Sequence, residues 1–140
     1  VIVEVSQRSW PVHLEVERGK IAQFARATGL ADFDPETAPP TFTAVLNHWG
    51  LSVSDVMRDL GYDMLHVVHG EETISYPNGP LRAGDILDGE VRIVGVDHKE
   101  GRSGPIEIVH MQIVFERPGG QVAVVIDRDL VSLGGVRGGS

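Results

Sequence analysis

The sequence predicts an α+β domain in which an antiparallel sheet is wrapped around a central helix. Up to Leu65 the apolar residues recur at helical spacing, and beyond it they alternate, the signature of strands with one covered face. The strand-like runs of this second half are joined by connections too short for parallel crossovers, so the sheet is antiparallel. At 140 residues and 41% hydrophobic composition the chain has the size of one domain with its own core, and is too short for two ordinary ones.

An early strand is expected over Trp10 to Val16. Residues 18–29 place Ile21, Phe24, Ala25 and Thr28 at i, i+3, i+4 and i+7, with Gly29 as a stop, so a short amphipathic helix follows. The acid- and proline-rich segment from Ala31 to Pro40 breaks this pattern and reads as a loop, in which Asp32 and Asp34 serve as turn or capping groups. Phe42, Val45, Leu46 and Trp49 resume helical spacing, and after Gly50 the set Val53, Val56, Met57 and Leu60 repeats it. Residues 42–60 are therefore the expected central helical element. Its second piece is capped by Ser52, with Asp55 at the positive end of the dipole, and closed by Gly61.

Strands are expected over 67–76, 86–97, 105–116 and 121–133. Val109, Met111, Ile113 and Phe115 form one apolar face, and Val122, Val124 and Ile126 another. Arg117-Pro-Gly-Gly-Gln121 is a hairpin signal, while Leu81-Arg-Ala-Gly-Asp85 and Lys99-Glu-Gly-Arg-Ser-Gly104 read as looser turns. Residues 1–133 form the domain and 134–140 a flexible tail.

A net charge of −8 and a pI near 5.1 leave no basic field for nucleic acid or for anionic membranes. Without cysteine there is no disulfide framework, thiolate metal site or cysteine nucleophile. No apolar run reaches the ~20 residues that span a bilayer and the first residues lack a signal-peptide pattern, so a cytoplasmic protein is expected. The glycines form no phosphate-binding pattern and no histidine has a partner at metal-ligand spacing, so neither a cofactor nor a metal is expected.

The phrases Val16-Glu-Arg-Gly-Lys-Ile21, Ala38-Pro-Pro-Thr-Phe42, His69-Gly-Glu71 and Pro80-Leu-Arg-Ala-Gly-Asp85, in this order, resemble the FAS1-like dehydratase domain of the MaoC superfamily over roughly residues 10–133. The chain is similar in particular to the mycobacterial-type 3-hydroxyacyl-carrier-protein dehydratase subunits that pair with a separate catalytic chain. The resemblance implies a hot-dog fold, two such units forming a double hot dog with an acyl tunnel between them. It also implies a substrate that is an acyl ester of coenzyme A or of a carrier protein.

Catalytic members of that superfamily carry an Asp, four intervening residues and a His just after the first helix. Here no histidine occurs between His13 and His48, so that dyad is absent and a dyad-bearing partner chain is expected. His69 and Glu71 are the remaining acid–base pair, because alternation places i and i+2 on one face roughly 7 Å apart. The plainer reading gives them the solvated face of a strand whose other face carries Val68, Ile74 and Tyr76, with Gly70 marking a close approach of another backbone. Phe42, Val45, Leu46 and Trp49 are candidates for the wall of an acyl tunnel, a pattern that core packing equally explains. Arg82, Arg102 and Lys99 fall in turns, where they meet either solvent or the phosphates of a pantetheine-bearing substrate. His48 and His110 read as satisfied core or interface histidines rather than as ligands.

The expected function is the substrate-binding, non-catalytic half of an (R)-specific enoyl-thioester hydratase or 3-hydroxyacyl-thioester dehydratase. The alternatives are a self-sufficient homo-oligomeric hydratase or thioesterase using His69 and Glu71, and a non-enzymatic module that binds acyl thioesters. Fold alone does not choose among them.

Overall fold

The structure, a computed structural model, describes residues 8–45 and 51–135. Strand β1 (Ser9–Glu15) leads into helix α1 (Arg18–Ala27), and a 3-10 turn (Phe42–Val45) precedes helix α2 (Val53–Asp59). A second 3-10 turn (Met64–His66) opens onto β2 (Val67–Ser75), and β3 (Ile86–Gly101), β4 (Gly104–Glu116) and β5 (Val122–Ser132) follow as a meander. Among the described residues all pairings are antiparallel in the order β1-β3-β4-β5-β2, with β1 and β2 at the edges.

The sheet forms where alternation predicts it. Trp10, Val12 and Leu14 of β1, Val109, Met111, Ile113 and Phe115 of β4, and Val124, Ile126 and Leu130 of β5 all point to one face, here called the inner face. Together with Ile21, Phe42, Val45, Val53, Val56 and Met57 from the helical elements they make a single buried cluster. Phe24 meets Phe42 edge-on at 5.8 Å, which fastens α1 to the turn that starts at Phe42. No helix among the described residues is long and apolar enough to cross a membrane.

Both helices stop as their glycines require. Gly29 and Gly61 adopt φ of 76° and 87°, and the N–H groups of Leu30 and Tyr62 reach back to the carbonyls of Ala25 and Met57, which satisfies carbonyls that the helix ends would orphan. Ser52 and Asp55 cap α2 reciprocally, the serine hydroxyl accepting from the Asp55 N–H and the carboxylate accepting from the Ser52 N–H. The first of the two helical pieces expected within 42–60 is corrected in one respect. Residues 42–45 form a 3-10 turn rather than α-helix, directly after a turn in which the Phe42 N–H donates to the Pro39 carbonyl, while Leu46, His48 and Trp49 lie outside the described residues.

The segment 99–104 is tighter than expected. β3 runs on to Gly101, and the last register pair is Gly101 with Gly104, so only Arg102 and Ser103 form the loop. At the other end of β3, Gly89 lies opposite Phe115, and a Cβ there would fall 2.1 Å from the Val114 carbonyl oxygen. Only glycine allows that approach.

Three of the phrases quoted above meet at one joint. The Gly84 N–H donates to the Val16 carbonyl and the Val16 N–H to that of Asp85, while the Ala38 N–H donates to Leu81 and the Ala83 N–H to Glu36. Arg117 closes the joint with a two-pronged contact to Asp85, at 3.1 and 3.0 Å. Burial alone would raise the Asp85 carboxyl, but the Arg117 contact and the Arg82 N–H outweigh it and leave Asp85 below its ordinary value.

Candidate functional site

Among the described residues β2 pairs with β5 alone, so within them its other side has unpaired backbone groups. The register runs Val67↔Ser132, Val68↔Val131 and His69↔Leu130, then resumes at Glu72↔Arg128, Thr73↔Asp127 and Ile74↔Ile126. Gly70 and Glu71 thus lie opposite Asp129 by themselves, a β-bulge. Gly70 suits it, since a Cβ there would press on the Asp129 carbonyl oxygen at 3.3 Å and the Val131 side chain at 3.4 Å. The bulge corrects the expectation that His69 and Glu71 share a face by simple alternation. His69 and Glu72 are the residues aligned with the inner-face positions Leu130 and Arg128, and Glu71 falls in the bulge without a register partner.

Arg128 is 5% exposed and stands in the inner-face row of Val124, Ile126 and Leu130. Its Nε and Nη2 donate to the two carboxylate oxygens of Glu72 at 3.1 and 3.0 Å, a fork that ties edge strand to neighbour beneath the bulge. Farther along β2's exit, Tyr76 donates its hydroxyl to the Pro40 carbonyl, and its burial pushes the phenol's pKa up.

The other predicted site residues are dispersed. Phe42 and Val45 are buried in the core, and Leu46 and Trp49 lie outside the described residues. Arg82 has an exposed side chain, its backbone bridging Thr37 and donating to the Asp85 carboxylate. Arg102 sits exposed in the β3–β4 loop, and Lys99 is exposed near the end of β3. Asp34 accepts from the Glu36 N–H and the Thr37 hydroxyl, which lower its pKa, so it is the turn-stabilising aspartate expected. Two surface hollows of about 550 and 450 Å³ open elsewhere. The first lies between β3 and β4 beside Asp88, Glu90, Arg92 and Glu116, the second between Glu15–Arg18 and Ala83–Ile86.

His110, expected as a satisfied core or interface histidine, is satisfied by charged partners. Two carboxylates from neighbouring strands hold it, Asp97 at 2.9 Å from Nε2 and Asp129 at 2.6 Å from Nδ1. The Asp97 contact, then that of Asp129, raises the imidazole's pKa, and His110 in turn lowers that of Asp97. A raised histidine contributes stability below its unfolded value, about 6.5, and loses it as pH climbs through the folded value. The melting-temperature advantage of the wild type over His110→Gln is therefore expected to be largest near pH 6 and to shrink by pH 9. An advantage independent of pH over that range would show that folding does not raise the His110 pKa. Among the described residues no group of three or more His, Cys, Asp or Glu is placed to hold a metal.

Sequence reasoning missed Glu72 and Arg128. Continuing the alternation of Val124 and Ile126 by one step lands on Arg128, and a cation in an otherwise apolar row is the signal that locates it. Glu72 became its partner only through the bulge.

The sequence profile described as "FAS1-like, dehydratase domain region" matches residues 4–125. A UPF0336 protein of Streptomyces griseus is 44% identical over 68 residues, covering 47% of this chain and 41% of that protein. Another, from Clavibacter michiganensis, is 37% identical over 86 residues, covering 61% and 51%. The chain thus spans about half the length of these curated relatives. Among solved structures, the HadBC (3R-hydroxyacyl-ACP dehydratase) complex of Mycobacterium tuberculosis superposes with a TM-score of 0.66 at 20% identity, over 93% of this chain and 100% of that one. The ChsH1-ChsH2 complex of the same organism gives 0.67 at 17% identity, over 96% and 86%. At these identities the likeness to the solved structures is one of fold, and the fold is the hot dog.

Proposed function

The chain belongs to the FAS1-like dehydratase domain family, and on that premise we propose that it is the substrate-binding half of an enoyl-thioester hydratase or 3-hydroxyacyl-thioester dehydratase. Its substrate is an acyl ester of coenzyme A or of a carrier protein. In the hydration direction the hydroxyl of water goes to C3 and a proton to C2, and a second hot-dog chain bearing the Asp-x4-His dyad moves those protons.

The observation that carries this reading is the open β2 edge. Leu65 is 90% exposed and Val68 46%, beside unpaired strand backbone, which is a surface that association covers. A homodimer would place two copies without the dyad around one tunnel, whereas pairing with a dyad-bearing chain supplies acid and base. No redox or nucleotide cofactor enters this chemistry.

Co-expression with a dyad-bearing hot-dog chain, followed by sizing and a crotonyl-CoA hydration assay, tests the proposal. The expected result is a stable pair that hydrates the thioester, while the chain alone turns over nothing. Within that pair His69→Ala is expected to change kcat by no more than a few fold. Turnover by the chain alone, lost by ~10²-fold in His69→Ala, would favour the self-sufficient enzyme, since that is the scale of general acid–base groups. Tight thioester binding without turnover in either state would favour the binding module.

A further inference from the structure

Two bulges and a histidine share one row of the sheet. His110 lies opposite Gly95 on β3 and opposite Asp129 on β5, and Asp129 lies opposite Gly70 and Glu71 on β2. The register of β3 slips at Val94, immediately before Gly95, as that of β2 slips at Gly70 and Glu71. A bulge bends its strand and adds twist, so two in one row put a crease across the sheet at His110 and Asp129. The crease is in contact at both ends. A Cβ on Gly70 would stand 3.3 Å from the Asp129 carbonyl oxygen and 3.5 Å from the Asp129 Cβ, and one on Gly95 would stand 3.6 Å from His110 Cδ2.

His110 and Asp129 alternate with the inner-face residues Val109, Met111, Arg128 and Leu130, so their side chains stand on the outer face. There Asp97, His110 and Asp129 form a chain of hydrogen bonds from β3 across β4 to β5, 2.9 Å at Nε2 and 2.6 Å at Nδ1. A neutral imidazole has one N–H and donates to one carboxylate, whereas the imidazolium donates to both. The arrangement therefore calls for the protonated ring, and the same two contacts, Asp97 first, raise its pKa. The other charged groups near the row are Lys99 on β3, which favours ionised Asp97, Asp127 on β5, which accepts from the Gln112 amide, and Glu71 in the β2 bulge. Once the ring is neutral, either the β3–β4 tie or the β4–β5 tie across the crease lacks its proton, and two carboxylates face each other across the ring.

We propose that His110, protonated between Asp97 and Asp129, is a latch on the outer face that sets the crease and, through the β2 bulge, the shape of the edge offered to a partner chain. The latch is closed below the folded-state pKa of His110 and opens as pH rises through it. Its effect on association rests on the reading above, and its effect on the bulges does not.

The chain alone tests the latch. In a carbon-detected NMR titration from pH 6 to pH 9, the Cα shifts of Gly70, Glu71, Val94 and Gly95, which follow backbone geometry, are expected to move with the midpoint of the His110 ring. Asp97→Asn removes a carboxylate that favours the imidazolium, so both midpoints are expected to fall together, and in His110→Gln the step at the bulges should vanish. A His110 ring that titrates while the bulge shifts stay flat would overturn the latch, as would a step that survives in His110→Gln. With a dyad-bearing chain, the Kd of the pair is expected to rise between pH 6 and pH 9 several fold more in the wild type than in His110→Gln, within the scale of one charged hydrogen bond. Equal changes in the two would overturn the link from crease to edge. No pairing at any pH would remove the reading above, while the titration of the chain alone still decides the latch.

Discussion

Gly89→Ala is expected to lower stability by about 3 kcal/mol, at the upper end of what forced overpacking costs, and the melting temperature by roughly 10 °C. The added Cβ would meet the Val114 oxygen at 2.1 Å, its carbonyl carbon at 3.0 Å and the Phe115 Cα at 3.1 Å. All three are backbone atoms of the paired strand, so no side chain can swing aside, and relief requires β3 and β4 to separate beside the buried Leu87, Val91 and Phe115. Gly95→Ala, in the same strand, is the control. Its Cβ would meet only His110 Cδ2 at 3.6 Å, an ordinary contact, and the cost should stay below about 1 kcal/mol. Urea denaturation of both variants decides the matter. Equal losses would mean that the close approach does not set the requirement at position 89.

Glu72→Ala is expected to cost about 3 kcal/mol, near the lower end of the range for breaking a buried pair, because the Glu72 side chain is itself 29% exposed and partly screened. The loss is not the worth of an attraction. It is the penalty of leaving Arg128, at 5% exposure, without its carboxylate. A double-mutant cycle with Arg128→Met should therefore be strongly non-additive, the second substitution restoring most of what the first removes. Additive losses would show that Arg128 finds other partners or water once Glu72 is gone.

The elements were legible because each carries its own period. The alternation of Val109, Met111, Ile113 and Phe115 and the helical set Val53, Val56 and Met57 are local facts, and the capping pair Ser52 and Asp55 stands three residues apart in the chain. The far end of β3 was not legible. His98, Lys99 and Glu100 offer no apolar alternation, and they are strand because β4 pairs with them through Glu107, Ile106 and Pro105. The polar groups of the candidate site were legible least of all. Glu72 and Arg128 are 56 residues apart, and Asp97, His110 and Asp129 come from three strands, so each set exists only once the register is fixed. A one-residue bulge changed which glutamate faces inward, and alternation read through Gly70 chose Glu71.

The strand order also sets a timetable. β3, β4 and β5 are consecutive hairpins within residues 86–132, so their contacts close short loops and form early. Among the described residues β1 pairs only with β3 and β2 only with β5, and both strands are synthesised before these partners. As the chain leaves the ribosome, its N-terminal half carries the apolar rows of β1 and the two helices with no sheet yet made to receive them. The meander is the template on which β1 and β2 dock last, and a nascent chain halted before Ser132 has two strands waiting and an incomplete surface to hold them, which is when a chaperone would be needed most.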